Sequence, residues 1–263
     1  MEKQSFIKRV KSMLKVDFRR MFTMPLIYIM IGACLVMPIL ILVMTTMMDG
    51  TVSVNPTTGV ETVMEGFDNV WQAIAATSAE SSAMDMSLTG MCNINMLYFF
   101  MAVLVGLFVS DDFRSGYAKN LFTVRAKKTD YVLSKTLVCF VGGACMLIAF
   151  FLGALLGGGI SGLPFDTGVA GVSGIVFCML AKIFLTLVFV PIFLAVSVAA
   201  KQRAWLSIVG SMAVGMLLFT MIPMITPLDS TILQPVLCIV GGGLFSVGLG
   251  AVSNLILNKT SLV

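Results

Sequence analysis

An all-α membrane protein with six transmembrane helices is the fold class that this sequence predicts, and three observations predict it. The first is composition: 263 residues that are 58% hydrophobic and 11% charged, with a mean hydropathy of +1.01, carry more apolar surface than a soluble core of this size can hide. The second is a series of uncharged runs at 21–48, 86–110, 136–165, 167–200 (broken only by Lys182), 204–228 and 230–258. About 20 apolar residues suffice for a helix to cross ~30 Å of hydrocarbon, and the runs lack the two-residue alternation of a barrel strand. The third is the charge between the runs. Lys3, Lys8, Arg9, Lys11, Lys15, Arg19 and Arg20 precede the first run, whereas 49–91 holds six acids and no base. Positive loops stay inside. Arg114, Lys119, Arg125, Lys127 and Lys128 mark the next inside loop, Asp166 the next outside one, Lys201 and Arg203 an inside turn, Asp229 an outside turn, and Lys259 the inside end. The alternation predicts six crossings, a plasma-membrane location and both termini in the cytoplasm.

Each element follows in order. Phe6, Ile7, Val10, Met13, Leu14, Phe18 and Met21 recur at three- and four-residue spacing with Lys8, Arg9, Lys11, Lys15 and Arg19 between them, which predicts an amphipathic interfacial helix over 1–22 against anionic headgroups of the bilayer. A six-span domain over 23–263 follows, with spans at about 24–48, 90–110, 132–158, 172–199, 205–225 and 232–257. The first run is too long for a secretory signal and is read as a retained span. Pro25 suits its first turn, and Pro38 is expected to kink it. The outside loop, 49–89, begins with turn residues around Asp49-Gly50 and Asn55-Pro56, compatible with a short hairpin. From Glu61 through Ala83 a helical cap is expected, with Phe67, Val70, Trp71 and Ile74 on one stripe. Glycines clustered at Gly153, Gly157, Gly158, Gly159 and Gly162 and at Gly241, Gly242, Gly243, Gly248 and Gly250 read as close-packing surfaces between helices.

The chemistry is sparse. The chain has no histidine and no acid is expected within a span, so neither a catalytic base nor a proton relay is available. The chain is not expected to be an enzyme by itself. Its six cysteines lack metal or redox spacing and read as packing residues, so no metal site is expected. The net charge of +4 is explained by topology, and no nucleic-acid partner is expected. The Gly-Lys-Ser/Thr phosphate loop is missing. Lys182 falls near the middle of the fourth span, where a lysine costs about 2.5–3.5 kcal/mol. It serves either as a structural group bonded to backbone carbonyls or as part of a possible substrate cavity wall.

The most structured polar segment is the loop 111–131. Asp111 or Asp112 is expected to cap a short helix running through Asn120, from which Phe113, Tyr117, Leu121 and Phe122 project toward their own bundle or toward a partner. An acid, Phe, two residues, Gly, two residues, Lys-Asn-Leu, then Arg and Tyr before Ser-Lys resembles the inside loop of type-two ATP-binding-cassette (ABC) exporter permeases. The residues that carry the likeness are Asp112, Phe113, Gly116, Lys119, Asn120, Arg125, Tyr131, Ser134 and Lys135, with Tyr117 where a Thr commonly follows the Gly. The resemblance implies that the loop is a cytoplasmic coupling helix between spans two and three. Asp111, Asp112, Phe113, Arg114, Gly116, Tyr117, Lys119, Asn120, Arg125, Lys127 and Lys128 would then form its contact with a separate ATPase, present in two copies. It further implies a second permease, identical or homologous, and ATP and Mg held by the ATPase, with no cofactor bound by this chain. An amphipathic or hydrophobic cargo such as a peptide, lipid or drug would move outward, with many of the 21 methionines repacking around it. An ATPase-independent channel or membrane scaffold is the alternative.

Overall fold

The computed structural model describes residues 6–54, 61–63, 66–78, 92–123 and 127–259. Its elements in chain order are α1 (Phe6–Thr23), α2 (Pro25–Met48), the short strands β1 (Val52–Val54) and β2 (Glu61–Val63), α3 (Leu97–Arg114), α4 (Tyr117–Thr123), α5 (Lys128–Ser161), α6 (Gly171–Ala200), α7 (Ala204–Phe219), α8 (Ile222–Ile225) and α9 (Leu233–Lys259). The protein is thus essentially all helical. Among the described residues five stretches are long and apolar enough to cross a membrane: Pro25–Met48, Ile94–Arg114, Lys128–Ser161, Gly171–Ala200 and Leu233–Asn258. The next, α7, has 16 residues, about 24 Å of rise. It falls short of the expected 205–225 span because the helix breaks at Thr220–Met221 before the single turn of α8.

The bundle is built in pairs: α2 lies on α5, α9 on α6, and α3 against α6 and α7, while α1 rests mainly on α5. Glycine sets the closest approach. A Cβ at Gly153 would stand 2.1 Å from the Leu35 carbonyl oxygen, and one at Gly157 would stand 2.8 Å from Ile39 Cα. These two glycines, four apart, let α5 lie directly on α2. Gly159, Gly241, Gly243 and Gly248 have open space where a Cβ would project, so the packing role predicted for the clusters belongs to particular members.

The loop after α2 departs from expectation. β1 and β2 form an antiparallel pair with Val52 opposite Val63, so Glu61–Val63 is strand and not the start of a helical cap. Farther on, the described residues form a 3-10 turn at Val70–Ala73. Phe67, Val70 and Ile74 are nonetheless buried: the apolar stripe was legible, but a 3-10 turn and long-range packing satisfy it, with Val70 against Gly158 of α5 and its N–H on the Pro164 carbonyl. Residues 79–83 of the expected cap lie outside the described residues.

The segment 66–78 straps two far-end loops together. Val70 N–H donates to the Pro164 carbonyl and Leu228 N–H to the Ala76 carbonyl, the Asn69 amide donates to the Asp166 carbonyl, and Ser78 bonds the Asp229 carboxylate.

Candidate functional site

Three helices meet in a buried charged junction at the α1 end of the bundle. On α1 the residues Met13, Asp17 and Met21, four apart, form the buried face, which sets a carboxylate inside an apolar stripe. On α5 the i, i+3, i+4 spacing of Tyr131, Ser134 and Lys135 turns a phenol, a hydroxyl and an ammonium to the same side. From α3 comes Asp112. The Lys135 Nζ lies 3.0 Å from Asp17 Oδ1 and 2.7 Å from Asp112 Oδ2, and all three side chains are fully buried. Ser134 Oγ donates to Asp17 Oδ2 at 2.6 Å, and Tyr131 OH donates to Asp112 Oδ2 at 2.9 Å. Arg20 donates to the other Asp112 oxygen. Two carboxylates and two cations give a neutral junction, without which none of these charges would be tolerated in the interior. Lys135 also stands 3.7 Å above the Phe108 ring centroid.

The same junction holds α4. The Arg20 guanidinium lies 3.9 Å from the Tyr117 ring centroid, and at the other end of α4 Phe122 meets Tyr131 edge-on at 5.5 Å. Burial works to lower the Arg20 pKa, but the neighbouring Asp112 charge and their hydrogen bond outweigh it, so the pKa is raised. Burial, reinforced by the charge of Asp17, raises the Tyr117 pKa against the opposing pull of Arg20. The contact is therefore a charged guanidinium on a neutral ring. A second pair, Arg9 Nε to Asp130 Oδ2 at 2.9 Å, fixes the start of α1 to the start of α5.

These positions correct two expectations. Asp111 and Asp112 do not cap the short helix; they sit in the last turn of α3, where Ser115 N–H closes on the Asp111 carbonyl at 2.8 Å. Gly116, with φ of 75°, takes the left-handed conformation that ends α3 and redirects the chain into α4. An acid at a helix C-terminus opposes the dipole, and the contacts of Asp112 with Lys135 and Arg20 offset that cost. Acids are also present within the spanning stretches, since Asp112 closes α3 and Asp130 opens α5, both buried.

The sequence-predicted loop residues divide accordingly. Asp111, Arg114, Lys119, Asn120 and Lys127 are exposed, Tyr117 and Gly116 are half-buried, and Asp112 and Phe113 are buried. Lys128 is half-buried and donates to the Leu257 carbonyl of α9 at 2.8 Å. Arg125 lies outside the described residues. The sequence reading missed Asp17 and Arg20 and gave Tyr131, Ser134 and Lys135 no site role. The available signals were the lone acid in the basic stretch that forms α1, in register with Met13 and Met21, and a lysine inside the expected third span.

Lys182 forms a separate polar centre. It is fully buried, and its Nζ donates to Asn95 Oδ1 at 2.7 Å and to Thr226 Oγ1 at 2.9 Å. The Tyr98 hydroxyl donates to the Lys182 carbonyl at 2.9 Å. Asn95 belongs to the 3-10 turn before α3 and Thr226 follows α8. The lysine therefore braces interrupted backbone, which is tolerated at membrane depth only when enclosed by protein.

A basic α1, a charged junction behind a short exposed helix and a bundle of apolar helices agree with one finding from known proteins: residues 14–219 match the family described as ABC-2 family transporter protein. The chain belongs to the ABC-2 transporter family. The match takes in Asp17, Arg20, Asp112, Tyr131 and Lys135 and ends with α7, before α8 and α9. No curated protein and no solved structure matches the chain. As an ABC-2 family member it is a multi-pass membrane protein and a permease component of an ABC transporter, a kind of subunit that associates with an ABC ATPase.

Proposed function

We propose that this ABC-2 permease exports an amphipathic or hydrophobic substrate, a peptide, lipid or drug, using ATP hydrolysed by a separate ATPase. In this reading the chain crosses six times, α7 and α8 together making the fifth crossing, with both termini cytoplasmic. Two ATPase copies bind ATP and Mg, and a second permease, identical or homologous, completes the cavity. The observation that carries the reading is α4. It is a two-turn helix outside the spanning stretches, anchored from behind by Arg20 on Tyr117 and by Phe122 on Tyr131, with Lys119 and Asn120 exposed. A force applied to α4 reaches α1, α3 and α5 at once through Asp17, Asp112 and Lys135, because packed elements move as bodies and not by continuous deformation. Arg114, Lys119, Arg125, Lys127 and Lys128 supply the basic surface of the contact.

Reconstitution with the ATPase tests this. Charge reversal at Lys119, Arg125 or Lys127 should abolish transport-stimulated ATP hydrolysis while the permease stays inserted and folded. Unchanged stimulation in all three variants would make 111–131 a solvated connector and sink the reading.

A further inference from the structure

The two sides of α1 carry different charges to different ends. Its inward side is spoken for: Arg9 meets Asp130, Asp17 meets Lys135 and Arg20 meets Asp112. Lys8, Lys11 and Lys15, at i, i+3 and i+7, fall on the face opposite Met13, Asp17 and Met21. All three are exposed, and among the described residues no acid pairs with them. Together with Ser12 they flank a shallow open groove along the surface of α1, lined by that helix alone, whose apolar part is Leu14 and Phe18. Phe18 stacks on Phe22 at 6.2 Å, and α2 begins two residues after α1 ends. The groove therefore lies on the helix that leads directly into the first spanning helix.

We propose that this groove is a binding site for one anionic glycerophospholipid, whose phosphate is held by Lys8, Lys11 and Lys15 and whose glycerol and upper acyl carbons lie on Leu14 and Phe18. The chemistry of the lining selects that occupant. Three ammonium groups on one helical face call for a phosphate, and the aliphatic stems of lysine lie along apolar surface while their heads reach the charge. A free phosphate has no use for Leu14 and Phe18. An acidic protein surface would equally leave them unmatched. The site needs the membrane placement of the chain but not the exporter reading, so each can fail alone.

The test uses the full chain purified in detergent, with its ATPase where that copurifies. Short-chain phosphatidylglycerol, phosphatidylcholine and inorganic phosphate are each titrated, with thermal unfolding and native mass spectrometry as readouts. Phosphatidylglycerol should bind and raise the melting temperature of the wild type, and phosphatidylcholine and phosphate should not. The triple variant Lys8→Gln, Lys11→Gln, Lys15→Gln should need on the order of 100-fold more phosphatidylglycerol, since each basic residue near an anionic headgroup contributes about a fivefold factor. The corresponding triple Lys→Arg variant should bind as the wild type does, as should Lys201→Gln, Arg203→Gln at a distant exposed turn. Single Lys→Gln variants, each expected to weaken binding partially, serve if the triple variant does not fold. Undiminished phosphatidylglycerol binding in the glutamine variants, or equal binding of inorganic phosphate, would overturn the proposal. So would loss of the ATPase from the triple variant with lipid binding intact, which would make the face a protein-docking surface.

Discussion

Lys135 of α5 lies 3.0 Å from Asp17 of α1, with both side chains fully buried, so the N-terminal helix is joined to the bundle by an interior ion pair and not merely laid against it. Two outcomes follow for stability. Lys135→Met leaves Asp17 and Asp112 buried with one cation fewer between them and should cost about 3–5 kcal/mol, the usual penalty for stranding a buried charge. Combining it with Asp17→Asn restores neutrality and should recover a substantial part of that loss. Thermal unfolding in detergent checks both. A double variant no more stable than Lys135→Met would contradict the neutral-junction account.

Tyr117 separates anchoring from surface charge. Tyr117→Phe keeps the ring under Arg20 and should leave ATPase stimulation near wild type. Tyr117→Ala removes a contact of about 0.5–2 kcal/mol and should reduce stimulation with the permease still folded. Equal stimulation by the two variants would show that the ring does not hold α4.

Lys182→Met leaves Asn95 and Thr226 without their shared donor and should lower stability by about 1–3 kcal/mol. Export per folded molecule should be unchanged if the lysine is a brace. Normal stability with altered substrate preference would instead place it at the cargo.

The far-end strap should open in acid. The hydrogen bond from the Ser78 hydroxyl, helped by the Ser78 N–H and opposed by burial, lowers the Asp229 pKa. A depressed folded pKa gives a stabilising contribution that is present above the unfolded value of about 3.9 and is lost as pH falls through the folded value. Protection from hydrogen exchange over 66–78, measured against the intrinsic amide rate at each pH, should therefore fall at low pH in the wild type, and in Asp229→Asn it should already be low at neutral pH. Exchange that is insensitive to both changes would exclude the latch.

Much of the fold was legible because long apolar runs leave few choices: α2, α6 and α9 fall within two residues of the expected spans. The second span was misplaced because the sequence boundary at Asp111 marks where charge begins, whereas the helix ladder runs on to Arg114 until Gly116 can take a positive φ. The junction was hidden for a related reason. Sorting charges by loop treats Asp17 and Asp112 as ordinary inside residues and passes over Lys135 near the start of the third span, and only three-dimensional packing shows that they neutralise one another. The Lys182 partners were likewise out of reach, since Asn95 and Thr226 lie far from it in sequence and carry no charge to draw attention.

The most direct test of the central claim is proximity between α4 and the ATPase. Asn120→Cys, exposed on α4, should crosslink to cysteines on the ATPase surface in the assembled complex, and the yield should change between ATP-bound and nucleotide-free states. Gln202→Cys, in the exposed turn between α6 and α7, should crosslink weakly. Efficient crosslinking from Gln202→Cys with none from Asn120→Cys, in a complex that still hydrolyses ATP, would contradict the account.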